Sequence, residues 1–244
     1  MSDTLVVNEI FLSLQGESTW AGLPCVFVRL TACHLRCSYC DTAYAFTEGR
    51  KQTLNEVLAR VRELAKPFQS EAGPARLPLV EVTGGEPLLQ PNSLVLLKAL
   101  CDDGFTVLLE TSGTVDLSGV DARVRRIMDL KCPASGESDR NHWPNLRHLR
   151  HTDEIKFVIA SQEDYHWARK IIAERNLARL CPVLFSWAVP LLQAQQNRSL
   201  NPIPAGHTPI TRQQLAERLL ADALPVRFQV QMHKIIWPAD ARGV

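Results

Sequence analysis

The sequence predicts an α/β fold built on a parallel sheet. Runs rich in β-branched and apolar residues alternate with helical stretches, and the helical stretches open on capping residues. Polar or reactive residues also collect just past the carboxyl ends of the strand-like runs. Crossovers long enough to hold a helix join parallel strands, not hairpins. The 244 residues are expected to form one domain over 1–244, because the looser stretches interrupt the alternation without separating two cores.

Taken in order, Val6–Leu14 reads as a strand pairing at an edge, and Cys25–Leu30 as the first parallel strand. Thr53-x-x-Glu56 is a capping box that opens a helix to about Ala65. Strand Leu79–Thr83 follows. Pro91 suits a helix start, with Leu94, Val95, Leu97, Leu100 and Cys101 expected on one face. Strands Thr106–Glu110, Arg126–Leu130 and Glu154–Ile159 come next, then a helix from Ser161 to about Arg175. Strand Pro182–Phe185, a helix Thr211–Leu224 opened by Thr211-x-x-Gln214, and strand Arg227–Gln231 complete the pattern. The looser stretches are 67–78, 132–144 and 188–209. No internal repeat is visible.

Past the strand ends stand Cys33, Gly84-Gly85-Glu86, Thr111-Ser112, Asp129 with Lys131, Ser186 and His233. Ligands of parallel α/β folds bind at the carboxyl ends of the strands, so these residues point to one shared site. Loops are polar in any case, which is the plainer reading.

Composition narrows the function classes. Lys and Arg total 27 against 26 Asp and Glu, a formal net charge of +1. That balance argues against gripping long nucleic acid, which calls for a basic excess, and leaves a small anionic substrate open. No run approaches the ~20 apolar residues of a membrane span. Met-Ser-Asp-Thr lacks the basic and apolar regions of a signal peptide, so a cytoplasmic protein is expected. Its seven cysteines then do not read as a disulfide framework.

Three of the cysteines are closely spaced, Cys33-x-x-x-Cys37-x-x-Cys40. Thiolates so close converge on one metal centre when the chain wraps around it. Two chemistries fit. Zinc wants four protein ligands, and His34, adjacent to Cys33, is a poor fourth. An iron–sulfur cubane held by three cysteines keeps one iron open for a small molecule. Cys25, Cys101, Cys132 and Cys181 stand apart and read as small buried hydrophobes, so no second cluster is expected.

The C-x3-C-x2-C spacing, with Tyr39 before the last cysteine, resembles the radical S-adenosylmethionine (SAM) superfamily. Val82-Thr83-Gly84-Gly85-Glu86-Pro87 is similar to that superfamily's glycine segment. Within the superfamily, four stretches resemble the 7-carboxy-7-deazaguanine synthase family. They are Asn8-Glu9-Ile10-Phe11 with Ser13-Leu14-Gln15-Gly16-Glu17, Phe27-Val28-Arg29-Leu30, Cys40-Asp41-Thr42, and Arg227 to Lys234. The likeness runs from about residue 6 to the last residues.

The resemblance implies an incomplete, modified (β/α) barrel. It implies a lyase that converts 6-carboxy-5,6,7,8-tetrahydropterin to 7-carboxy-7-deazaguanine with release of ammonia, on the route to 7-cyano-7-deazaguanine and queuosine. The hard chemistry belongs to the cofactor: a 5′-deoxyadenosyl radical from SAM abstracts hydrogen, SAM is regenerated, and no protein side chain is assigned as catalytic. Cys33, Cys37 and Cys40 would hold a [4Fe–4S] cluster, and Thr42 would ligate Mg2+. Tyr39, Cys40 and Asp41 would lie near the adenine, with Gly85 and Glu86 at the methionyl group. Ser112, Asp129, Leu130, Lys131 and Ser186 would surround the rest of SAM. A homodimer and an external flavodoxin-like electron donor are expected partners.

The substrate suits the remaining residues. Gln15, between Leu14 and Gly16, can both donate to and accept from an amide edge, and Glu17 can accept from an exocyclic amine. Arg29 can fork onto the carboxylate. Thr83 and His233 face the same mouth, and the tail ending at Val244 is expected to close it. Each also has a plain structural reading: Arg29 as a surface charge, Glu17 as the cap of a turn, His233 as a buried ring with a backbone partner. Two rivals remain, a glycyl-radical-enzyme activase and a non-catalytic zinc-binding module. The activase would need a partner enzyme as substrate and does not explain Gln15-Gly16-Glu17 or Arg29; the zinc module would be colourless where an iron–sulfur protein is brown.

Overall fold

The computed structural model describes residues 3–68, 71–72 and 75–244. In chain order its elements are strands β1 (Thr4–Leu14), β2 (Pro24–Leu30) and β3 (Arg50–Thr53), helix α1 (Leu54–Ala65), and a small ribbon of β4 (Glu71–Ala72) and β5 (Ala75–Arg76). Then come β6 (Leu79–Gly84), α2 (Asn92–Asp102), β7 (Val107–Thr111), β8 (Arg125–Leu130), β9 (Glu154–Ile159), α3 (Gln162–Arg175), β10 (Val183–Trp187), α4 (Arg212–Ala221), β11 (Arg227–Gln229) and the one-turn α5 (His233–Ile236).

Nine of these strands form one open sheet in the order β11-β10-β9-β8-β7-β6-β2-β1-β3. From β2 to β11 every neighbour is parallel, while β1 runs antiparallel to both β2 and β3. The expected edge strand β1 is therefore not at the edge. β3, too short and polar to stand out in the sequence, takes that place. Capping boxes open α1 at Thr53, α3 at Ser161 and α4 at Thr211.

The strands have two different faces. Outward residues such as Val28, Val82, Leu109, Met128, Phe157 and Phe185 pack on Val61, Leu97, Leu100, Ile172 and Leu215 of the helices. Inward residues change character along the strands. At the amino ends Cys25, Phe27, Leu79, Leu108 and Ile127 form an apolar plug, with Phe11 stacked on Phe27 at 5.1 Å. Two residues further on the same faces carry Arg29, Glu81, Glu110 and Asp129, because side chains on one face recur every second residue. The sheet thus closes its bottom with hydrocarbon and lines its mouth with charge.

Three expectations need correction. Val95 is exposed, and Ser93 and Leu96 are buried with Leu97, Leu100 and Cys101 on the inner face of α2. The β7–β8 and β8–β9 crossovers contain no α-helix; the second carries only short 3-10 turns, the last at Trp143–His148. Asn145 does the work a helix would do there. Fully buried, it accepts from Leu117 N–H (3.0 Å) and donates to the carbonyls of Gly113 (2.9 Å) and Val115 (2.8 Å), tying one crossover to the other. The last strand also ends at Gln229, so His233 begins a helical turn instead of following a longer strand. Of the loose stretch 67–78, residues 69–70 and 73–74 lie outside the described residues, as do Met1 and Ser2 of the amino terminus. Among the described residues, no helix is long and apolar enough to cross a membrane.

Replacing Asn145 by Ala strands one buried donor and two acceptors, each costing about 1–3 kcal/mol when left unmade. Asn145→Ala is expected to lower the free energy of unfolding by about 3 kcal/mol, read from urea titration. A loss within experimental error would show that the crossovers hold without it.

Candidate active site

The carboxyl ends of the strands surround a cavity of about 540 Å3. Cys33, Cys37 and Cys40 lie on its wall in the loop after β2. That loop leaves the strand through Ala32, which adopts a left-handed backbone (φ 82°). The glycine segment after β6 stitches to it: Gly85 N–H donates to Leu30 O (3.2 Å) and Glu86 N–H to Ala32 O (2.9 Å). A Cβ on Gly85 would overlap the Ala32 carbonyl oxygen and crowd Cys33 Cβ. Only glycine permits this approach. Burial raises all three thiols, Cys37 to about 11 and Cys40 to about 12, the latter helped by the neighbouring Asp41 charge.

Glu86 does not face the cavity. It is fully buried, and its carboxylate accepts from Thr111 Oγ1 (2.9 Å), Ser112 N–H (2.8 Å), Ser112 Oγ (2.5 Å) and Leu88 N–H (3.0 Å). This carboxylate, expected near the methionyl group of SAM, is engaged by these partners and orients Ser112. Ser112 Oγ continues to Thr114 Oγ1 (2.8 Å), which meets His34 Nε2 (2.8 Å). Leu130 is likewise buried in the main core behind the wall. The other expected contacts, Tyr39, Asp41, Gly85, Ser112, Asp129, Lys131 and Ser186, all line the cavity. Lys131 Nζ donates to Asp129 Oδ2 (2.9 Å), whereas Asp129 Oδ1 and the Tyr39 hydroxyl are buried without a partner.

Leu14, Gln15, Gly16, Glu17, Arg29, Thr83 and His233 line the same space, and so does Val244. Gln15 is braced: its Nε2 donates to Glu81 and its Oε1 accepts from Glu17 N–H (2.9 Å). Glu17 accepts from Ser186 Oγ (2.6 Å) and pairs with Lys156 (3.3 Å), which also pairs with Glu110. Thr83 Oγ1 donates to Glu110 (3.2 Å). Arg29 is an inward residue, not a surface charge: its Nε donates to Glu9 Oε1 (2.7 Å), which also accepts from Tyr44 (3.0 Å). That leaves the terminal guanidinium nitrogens for a ligand. Burial lowers the His233 pKa, keeping the ring neutral.

Thr42 Oγ1 donates to Asp41 Oδ1 (2.8 Å), and Asp41 is paired with Lys234. Burial alone would raise the Asp41 carboxyl, but the Lys234 ammonium and the Thr42 hydroxyl hold it well below the usual carboxylate range. The tail crosses the mouth. Arg242 stacks on Tyr44 (3.8 Å to the centroid) and pairs with Glu48 (2.8 Å), and Ala239 O accepts from Gln195 Nε2 (3.1 Å).

Comparison with known proteins places this arrangement. Residues 28–134 match the model of the radical SAM superfamily. A 7-carboxy-7-deazaguanine synthase from Koribacter versatilis is 43% identical, covering 98% of this chain and 99% of its own. The chain belongs to the 7-carboxy-7-deazaguanine synthase family. A second 7-carboxy-7-deazaguanine synthase, from Chlorobaculum tepidum, is 42% identical over 98% of this chain and 97% of its own. The crystal structure of QueE from Escherichia coli has the same fold, with a TM-score of 0.67 at 20% identity, covering 94% of this chain and 95% of that one. The open sheet is an incomplete radical SAM barrel.

As a member of the 7-carboxy-7-deazaguanine synthase family the chain is a radical SAM lyase that carries a [4Fe–4S] cluster and uses SAM. Its residues fit both. The three thiols stand on one loop of the cavity wall. A cubane takes one thiolate on each of three irons, whereas a tetrahedral zinc asks for a fourth protein ligand. His34, the neighbour of Cys33, meets Thr114 Oγ1 through its Nε2 (2.8 Å). The orphan acceptor Asp129 Oδ1 suits a ligand hydroxyl. Cys25, Cys101, Cys132 and Cys181 are buried and free.

The sequence reading missed Glu81, Glu110 and Lys156, the charged centre of the inner wall. The signal was present: Glu81 and Glu110 are the lone charges of β6 and β7, and Lys156 stands between Ile155 and Phe157 in β9, which it shares with Glu154. Glu81 is the carboxyl that stays neutral, because burial and the adjacent Glu110 charge raise its pKa well above normal. Such a group destabilises the fold as pH rises above its unfolded value near ~4.3, by at most about 1.4 kcal/mol per unit, until its folded pKa is reached. Glu81→Gln removes that cost and keeps an acceptor for Gln15. The variant is expected to gain stability over the parent between pH 5 and pH 8 in denaturant titrations of both. Parallel pH profiles would contradict a neutral Glu81.

Proposed function

We propose that the chain converts 6-carboxy-5,6,7,8-tetrahydropterin to 7-carboxy-7-deazaguanine with release of ammonia, as its full-length identity to synthases of that name supports. One observation carries the assignment to these residues. A single cavity is lined by the three cysteines and by an arginine, an amide and a carboxylate, Arg29, Gln15 and Glu17. The cluster and SAM, when bound, supply the radical chemistry. Cys33, Cys37 and Cys40 would hold the cluster. Gly85, Ser112, Asp129, Lys131 and Ser186, with Tyr39 to Asp41, would seat SAM.

This chain's part is to bind and orient. Arg29 grips the pterin carboxylate with its terminal nitrogens, while Glu9 holds its Nε in place. Gln15 and Glu17 read the guanine-like edge, Glu17 being steadied by Ser186 and Lys156. Thr83 and the neutral His233 ring add polar contacts, and the tail to Val244 excludes water from the mouth. Thr42 offers a hydroxyl oxygen to Mg2+, a hard cation that keeps several waters and takes few protein ligands. A cytoplasmic homodimer, reduced by an external donor of the flavodoxin type, completes the proposal.

Anaerobic incubation with SAM, a strong reductant and the carboxypterin should give the deazaguanine acid by mass spectrometry. Its absence with a loaded cluster would overturn the assignment. Arg29→Lys loses the fork and should cut kcat/KM by roughly 10- to 100-fold, the range for a charge-assisted hydrogen bond, with SAM binding unchanged; normal turnover would remove Arg29 from the substrate site. For the cation, wild-type turnover should rise with added Mg2+, and Thr42→Ala should respond less while its cluster spectrum is intact. Equal responses would exclude Thr42 as a ligand.

A further inference from the structure

Residues 188–209 carry no α-helix or named strand, only a 3-10 turn at Gln193–Gln195 and an isolated bridge from Pro209 to Ser161. Neither the sequence patterns nor the substrate-binding scheme gives it a purpose. Its backbone nevertheless meets the cysteine loop, at Asn201. Arg36, between Cys33 and Cys37, has both ends of its backbone polar pair held from outside the loop. Its N–H donates to Glu137 Oε1 (2.7 Å), and its carbonyl accepts from Asn201 N–H (2.7 Å). The two holders are joined to each other, since Asn201 Nδ2 donates to the same Glu137 Oε1 (3.0 Å). The three residues close a hydrogen-bonded triangle.

Glu137 is itself buried and fixed, its N–H donating to Ser135 Oγ (3.0 Å). The approach of the two segments is tight: a Cβ on Gly136, at φ 73°, would press on Asn201 Nδ2 at 3.1 Å and Cβ at 3.2 Å. On the far side of Cys37, Ser38 is held as well, with its N–H donating to Ser135 O (3.1 Å) and its Oγ to Ala134 O (2.6 Å). The Arg36 side chain is used inside the loop, donating to Cys33 O (2.8 Å) and Leu35 O (2.7 Å) and lying over Phe46 (4.3 Å to the centroid).

We propose that Glu137 and Asn201 are positioning residues that clasp the cysteine loop in its cluster-binding shape, and that the 188–209 segment is a strap that retains the iron–sulfur cluster. The inference rests on the reading of Cys33, Cys37 and Cys40 as cluster ligands. A cubane releases iron when its loop opens far enough to separate a thiolate from its iron, so the opening free energy of the loop sets the rate. Two of the bonds in the triangle have a carboxylate acceptor, the stronger kind.

The test follows iron leaving the anaerobically reconstituted holoprotein in excess ferrous chelator, beside thermal melting of each apoprotein. Asn201→Ala and Glu137→Ala should lose iron faster by roughly tenfold, the factor set by about 1.4 kcal/mol. Glu137→Gln, which keeps an acceptor, should fall between them and the wild type. Ser199→Ala, whose hydroxyl bonds only Asn197 within the strap, should match the wild type. Apoprotein melting should not follow this order, as it would if the residues merely stabilised the fold. If Asn201→Ala fails to fold, Glu137→Gln decides, and wild-type retention in it overturns the clasp. Wild-type retention in Asn201→Ala also overturns it, leaving the cluster reading intact. A wild-type chain that takes up no iron defeats the cluster reading and the strap with it.

Discussion

The Lys156 ammonium sits inside the sheet wall, nearly excluded from water, between the carboxylates of Glu17 and Glu110. A buried ion costs several kcal/mol unless partners surround it. That constraint runs through the whole site. Each cation on the inner wall has an assigned anion: Arg29 has Glu9, Lys131 has Asp129, and Lys234 has Asp41. Glu81 has no ion pair among the described residues, and burial beside Glu110 raises its pKa well above normal. Glu17 arrives from the loop after β1, Glu110 from β7 and Lys156 from β9, so the ion triad also fixes where that loop meets the barrel.

The apolar plug and the charged mouth follow from one rule, two residues per pleat repeat. The strands keep the same outward face throughout, packed under the helices, and change only the inward one. This separates stability from chemistry. The helices and plug hold the barrel, and the strand ends are left to carry binding groups. The glycine segment joins the halves of the site, since its backbone braces the cysteine loop while the Glu86 carboxylate behind it orients Ser112.

Much of this was legible in the sequence because it is local. β-Branched runs marked the seven parallel strands to within a residue or two at most ends, and side-chain caps marked three helices. Cysteine spacing named the cluster loop. What escaped depends on partners distant in sequence. β3 exists because Thr4–Val7 offers it a ladder, and nothing in Arg50–Thr53 announces that. Asn145 looks like any loop asparagine until Gly113, Val115 and Leu117 are placed around it. Glu86 shows nothing of its partners Thr111 and Ser112 until the fold places them. Asn201 has no local pattern at all, for its meaning lies in Arg36 and Glu137, far along the chain.

The Lys156 triad has a consequence for how such a chain changes over generations. Losing the lysine alone leaves Glu17 and Glu110 facing each other across a dry wall, and losing one carboxylate alone removes half of the lysine's compensation. Single charge-altering steps at these positions are therefore closed, although each residue on its own is replaceable in principle. The routes that stay open alter two positions together. Inherited variation at residues 17, 110 and 156 should then be correlated even though the positions lie on three separate stretches of chain, and the wall descends as a unit.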